Sequence, residues 1–181
     1  MNNIVVNILI VAIVIFLVIY LEPEFKPVKA VCVLKTDNID GTLYFEELSL
    51  EQTKIYGKIT GLKPNSLQGI HIHESGDLTE GCTSACAHYN PFHKNHGGPN
   101  DEDRHVGDLG NLKTNDKGES VFELVDNLVK LRGQYSVIGR SIVIHEDPDD
   151  LGKGNFPDSH TTGHSGKRIA CAIIGYAKDC K

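Results

Sequence analysis

Lys54-Ile55-Tyr56-Gly57-Lys58-Ile59 alternates strictly. In an extended chain Ile55, Gly57 and Ile59 face one way and Lys54, Tyr56 and Lys58 the other, which is the period of a half-buried strand. Leu43 and Phe45 alternate in the same way with Thr42, Tyr44 and Glu46. Turn-forming clusters separate such runs: Asp37-Asn38, Lys63-Pro64-Asn65 and Asn115-Asp116-Lys117-Gly118. Gly supplies positive φ, Pro fixes φ, and Asn and Asp bond their own backbone, so these clusters bend the chain. No amphipathic helix is legible after residue 27. About eight short strands with turns between them predict an all-β, antiparallel sandwich or barrel.

Two long segments carry no strand pattern, one from about Glu74 to Arg104 and one from Glu146 to Lys167. Loops of that length in a compact domain are usually functional or disordered. The chemistry-bearing residues gather in them and at their edges. His71-Ile72-His73 sets two imidazoles on one face of a strand. His88, His96, His105 and Asp108 follow in a Gly/Pro/Asn-rich stretch, and His145 ends the apolar run Ile142-Val143-Ile144. Imidazole suits copper and zinc, and an Asp carboxylate can complete a tetrahedral zinc site. Six of the nine histidines fall in this set, which argues against ordinary surface or core histidines.

The residues around them carry a family resemblance. Gly69-Ile-His-Ile-His-Glu, Gly81-Cys-Thr-Ser-Ala, His88-Tyr-Asn-Pro, His96-Gly-Gly-Pro, Arg104-His-Val-Gly-Asp-Leu-Gly-Asn, Ile144-His-Glu and Asp149-Asp-Leu-Gly-Lys-Gly resemble copper/zinc superoxide dismutase. So do Val28-Lys-Ala-Val-Cys-Val-Leu-Lys at the start and Gly166-Lys-Arg-Ile-Ala-Cys near the end. The resemblance covers about residues 27 to 178. It implies an eight-stranded Greek-key sandwich or barrel with two functional loops. It also implies a superoxide dismutase that cycles Cu(II) and Cu(I), turning superoxide into dioxygen and hydrogen peroxide.

Carried over position by position, the resemblance makes His71, His73, His88 and His145 the copper ligands. His88, His96, His105 and Asp108 become the zinc ligands, with one copper and one zinc per chain. His88 then serves both metals, which imidazole can do because each ring nitrogen can coordinate. His88 also becomes a proton source for the reaction. Asp149 matches a carboxylate that links a copper ligand to a zinc ligand from behind and fixes ring orientation. Arg168 matches the arginine at the mouth of the copper channel, where a guanidinium attracts a small anion. Thr162 matches the threonine that narrows the channel.

The loop before Arg168 departs from the family pattern. In place of the usual acidic residues and lysine it has Phe156-Pro157-Asp158 and Thr161, with His160 and His164 nearby. Neither site needs His93, His160 or His164, so they are read as surface histidines. Cys82 and Cys171 match the family's disulfide. Cys32 reads as a small core residue and Cys180 as a free thiol. Cys86 stands where a small residue is expected and is either inert or a competitor for Cys171 or metal.

The resemblance implies a homodimer, with superoxide as substrate and a copper chaperone as a further partner. Ser75 stands where the family's dimer patch has Phe, and Tyr176 where it has Ile; Gly76 and Ile173 fit. Losing one buried apolar side chain costs about 1.5 to 3 kcal/mol, so association is weakened. The rival reading on the same fold is a copper-binding buffer or decoy. The dismutase-like domain of a copper chaperone would lack copper histidines, and none is missing.

The N-terminus is a separate unit. Ile4 to Leu21 carries no charge, and its 18 residues just reach a bilayer's thickness. Its uninterrupted part, Ile8 to Leu21, also fits a signal-peptide core, although no Lys or Arg precedes it and no small-x-small cleavage site follows. A buried helix is the third reading. The division is residues 1–21 as membrane anchor or signal, 22–26 as linker and 27–181 as the dismutase domain. Lys26, Lys29 and Lys35 follow the segment and none precedes it, which favours a cytosolic domain. The absence of any Asn-x-Ser/Thr acceptor leans the same way. The side of the membrane stays open, with a soluble cytoplasmic chain as the alternative. The net charge of −6 lies wholly after Leu21 and argues against nucleic-acid binding.

Overall fold

The computed structural model describes residues 5–13 and 25–178. Alternation builds the strands β1 (Lys29–Lys35), β2 (Asp40–Glu47), β3 (Thr53–Thr60), β4 (Leu67–His73), β5 (Thr79–Cys82), β6 (Asp108–Lys113), β7 (Ser120–Asp126), β8 (Ser141–His145), β9 (Arg168–Ile173) and β10 (Gly175–Tyr176). Eight of them have five or more residues, matching the expected count. The other two, β5 and β10, are short.

Two antiparallel sheets result, in the orders β10-β1-β2-β3-β7 and β6-β4-β8-β9. The chain leaves the first sheet after β3, and β7 later returns to pair with β3, which gives the Greek-key crossover. Ile55 and Ile59 of the opening motif are fully buried, as the alternation requires, and Tyr44 and Tyr56 stack on the outer face at 5.6 Å. Leu34, Leu43, Phe45, Ile70, Ile72, Leu112, Ile142 and Ile144 fill the space between the sheets. Cys32 joins that core; its thiol donates to the Ala172 carbonyl at 3.3 Å, and burial pushes it up to about 12.

The second sheet positions the site. β4 sends Ile70 and Ile72 into the core and His71 and His73 to the opposite face. Both histidines are nevertheless buried, because the two long loops, residues 74–107 and 146–167, cover that face. The first loop is laid along β4 by Tyr89 N–H donating to Ile72 O, by Ile72 N–H donating to Gly107 O (both 2.8 Å), and by a bridge between His73 and His88. The disulfide Cys82–Cys171, with Cα atoms 5.6 Å apart, ties it to β9. The second loop contains one helical turn, Ser159–Thr162, too short to leave a helical period in the sequence.

Residues 5–13 of the N-terminal segment are helical, exposed and, apart from Asn7, apolar. Among the described residues no helix is long and apolar enough to cross a membrane. Residues 1–4 and 14–24, which carry the rest of the anchor, signal and linker expectations, lie outside the described residues, as does Cys180.

Candidate metal centre

Each imidazole that faces the centre, other than His88, is fixed by a bond on its far side. His73 Nδ1 donates to Cys86 O at 2.9 Å, and His145 Nδ1 to Gly166 O at 3.2 Å. His71 Nε2 donates to Asp149 Oδ2 and His96 Nε2 to Asp149 Oδ1, both at 2.8 Å. His105 Nε2 donates to Lys94 O at 3.1 Å. A proton held at the outer nitrogen leaves the inner lone pair free, which is how ligating histidines are oriented.

The inner atoms form two groups that share His88. In the first, His71, His73, His88 and His145 bring ligand atoms within 4.8 Å of one another. His71 Nδ1, His73 Nε2, His88 Nε2 and His145 Nε2 are all buried without a hydrogen-bond partner. Four orphaned nitrogens converging in a buried space are costly unless a cation satisfies them. In the second, Nδ1 of His88, His96 and His105 lie 3.0, 2.9 and 3.1 Å from Asp108 Oδ1. Zinc bonds of about 2.0 Å in a tetrahedron place ligand atoms roughly 3.3 Å apart, so this set fits zinc. Asp108 Oδ2 is occupied by the N–H groups of Gly97 and His105, which aims Oδ1 inward.

Electrostatics favour a cation here. Burial holds the His71 and His88 imidazoles well below their ordinary range and His73 down to about 2, so they are neutral, the form that coordinates. Burial also lowers His145. Asp108 is opposed by burial, yet bonds from His105, His88 and His96 hold it well below the usual carboxylate range. At His96 burial is outweighed by Asp108 and Asp149, which lift the imidazole to about 9. Positive charge, as proton or metal, is stabilised at that spot.

Above the first group lies a cavity of about 280 Å³. His73, His88 and His145 form its floor; Thr162 and Arg168 line its wall. Arg168 Nη1 donates to Cys82 O at 2.7 Å, and Nη2 to Cys86 O at 2.6 Å. Its partners are carbonyls, and among the described residues it has no carboxylate within ion-pair distance, so its charge stays available. Of the second group only the shared His88 borders the cavity; His96, His105 and Asp108 do not. Gly163 holds a positive φ of 66° beneath that group, where a Cβ would meet Asp149 Oδ1 at 2.0 Å and His96 Nε2 at 2.5 Å.

The family model described as "Copper/zinc superoxide dismutase (SODC)" matches residues 39–174. The chain belongs to the copper/zinc superoxide dismutase family. A superoxide dismutase [Cu-Zn] of Paramecium bursaria Chlorella virus 1 is 53% identical over 154 residues, covering 85% of this chain and 81% of that protein. Superoxide dismutase [Cu-Zn] 5 of Dictyostelium discoideum is 51% identical over 150 residues, covering 82% and 98%. A solved structure, that of the clock protein EA4, superposes with a TM-score of 0.81 at 44% identity, covering 86% of this chain and 99% of that one. As a copper/zinc superoxide dismutase, the chain converts superoxide to dioxygen and hydrogen peroxide with copper and zinc as cofactors.

All seven residues singled out as ligands in the sequence fall in the two groups, Asp149 lies between them, and Thr162 and Arg168 line the cavity. Cys82 and Cys171 are joined, while Cys86 is free and exposed. Sequence reading missed the rim of the cavity, where Asp147, Asp158 and His164 stand. Their nearness to His145, Thr162 and Arg168 in the chain was the available signal.

Proposed function

We propose that copper is held by His71, His73, His88 and His145, zinc by His88, His96, His105 and Asp108, and that Arg168 and His88 are the catalytic residues of the dismutation. The observation that carries this reading is the set of four orphaned nitrogens beneath the Arg168 cavity. An all-imidazole group open to a small anion suits copper, and an enclosed tetrahedral group with one carboxylate suits zinc. Copper, when bound, supplies the one-electron Cu(II)/Cu(I) couple. Arg168 attracts superoxide and offers it hydrogen-bond donors. Thr162 narrows the way in. His88 presents Nε2 toward the cavity, where it can hold and deliver a proton. Asp149 locks the rings of His71 and His96 and couples the two groups.

The test is metal analysis with an activity assay. The expected content is one copper and one zinc per chain. His145→Ala is expected to abolish activity while zinc stays bound, because His145 belongs only to the first group. Full activity in that variant would overturn the ligand assignment; it is also the result that a buffer or decoy reading could not explain.

The remaining readings concern the surroundings. Residues 1–21 associate the enzyme with a membrane, as anchor or signal, and residues 27–181 form the catalytic domain; the exposed apolar helix at 5–13 supports this. Two copies pair through the patch that includes Ser75, Gly76, Ile173 and Tyr176. The exposure of Ile173 (49%) and Tyr176 (69%) supports pairing, and the polar Ser75 weakens it. A copper-delivery protein loads the copper group.

A further inference from the structure

His164 is an exposed side chain set in a fixed pose at the rim of the cavity that contains Arg168. Its ring stacks on Phe156, with centroids 3.7 Å apart and planes within 7°. Its Nδ1 lies 2.8 Å from Asp158 Oδ1. The other oxygen of Asp158 accepts from Thr162 Oγ1 at 3.1 Å, so one carboxylate orients both the imidazole and the threonine in the wall. Neither partner is needed for metal binding.

Among the described residues the charged groups that line this cavity are few. Asp158 precedes the helical turn, Asp147 follows β8, and Arg168 opens β9; the imidazoles of the floor complete the set. With neutral His164 the rim holds one cation against two carboxylates. With the imidazolium it holds two against two. Histidine is the side chain whose charge ordinarily changes in the physiological range.

We propose that His164 is a second anion-guiding residue of this channel, acting with Arg168 in its imidazolium form to offset Asp147 and Asp158. Protonated, it lets superoxide approach a rim of no net charge. Deprotonated, it leaves the anion to meet a net negative rim. The protein as a whole carries −6, so no distant field compensates. One unit charge about 7 Å from the path in a near-aqueous dielectric changes the local anion concentration roughly threefold. The proposal rests on the reading that this cavity is the route of superoxide.

The experiment measures two quantities on the copper- and zinc-loaded chain at low salt, between about pH 6 and pH 9. One is the second-order rate with superoxide by pulse radiolysis. The other is the dissociation constant of azide, a small monoanion, from the oxidised protein by visible absorption. The midpoint of the His164 titration is read by NMR on the reduced, diamagnetic protein. In the wild type the rate should fall roughly threefold with rising pH and the azide constant rise by the same factor, both at the His164 midpoint. His164→Asn, which keeps a donor for Asp158, should flatten both profiles. Asp158→Asn should raise the rate most at alkaline pH. Wild-type profiles persisting in His164→Asn, or a midpoint apart from that of His164, would overturn the proposal. Arg168→Ile separates the two failures. If it leaves azide affinity unchanged, the cavity is not the anion's route; if it weakens azide while His164→Asn does not alter the profile, only the role of His164 is lost.

Discussion

Replacing both halves of the disulfide, as Cys82→Ser with Cys171→Ser, tests how the loop of residues 74–107 is held. The two cysteines are 89 residues apart. Closing a loop of that size in the unfolded chain removes about 15 cal/mol/K, or about 4.6 kcal/mol at 25 °C. Native-state strain and residual structure usually reduce this, so a loss of about 3 to 4.5 kcal/mol is expected. At roughly 2 to 4 °C per kcal/mol for a chain of this size, the thermal midpoint should fall by about 6 to 18 °C. The assay is urea unfolding with a chelator present, so that metal binding does not add to the folded state. A loss below about 1 kcal/mol, with the wild-type bond verified by thiol counting, would refute the entropic argument. A second readout concerns function. The carbonyls of Cys82 and Cys86 hold the Arg168 guanidinium, so the double variant should also lose severalfold in second-order rate at full copper occupancy. An unchanged rate would show that the loop keeps its shape without the covalent tie to β9.

Asp149→Asn leaves one of two buried imidazole N–H groups facing an amide NH2 with no acceptor and the other with only a neutral one, and metal affinity should drop about 10- to 100-fold in a chelator competition; unchanged affinity would contradict the coupling role. Arg168→Ile should lower the second-order rate severalfold or more with both metals retained, and Arg168→Lys should keep part of it, since lysine preserves charge but not the planar fork. The full-length chain should partition into membranes through residues 4–21, or begin near Glu22 if that segment is cleaved. Recovery of an intact chain in the carbonate-soluble fraction would count against both.

The strands were legible because their faces are chemically distinct. Ile55 and Ile59 against Lys54 and Lys58 mark an inside and an outside, and the core uses them so. The ligands were legible because imidazole and carboxylate are scarce groups set in long, specific motifs. The rim was not. Asp158 and His164 lie in an aperiodic loop, where nothing in the order of residues says which side chains turn toward the cavity. His164 therefore read as a solvated surface group, while the structure sets it on Phe156 beside Asp158. Asp149 and its link between a copper ligand and a zinc ligand were located by the motif, but which two imidazoles it holds, His71 and His96, needed three distant segments to meet.

The Cys86 carbonyl oxygen accepts from both His73 Nδ1 and Arg168 Nη2. The residue sits at φ 65° and ψ −150°, a backbone shape that side chains rarely tolerate. One peptide group thus anchors a floor imidazole and the charged wall of the channel. Every residue brings the same oxygen to position 86, so truncating side chains one by one would leave it untouched and score the position as dispensable. What position 86 must conserve is a shape. Substitutions there should divide by their cost in left-handed backbone, with glycine the most comfortable occupant and β-branched residues the least, whatever their polarity or size.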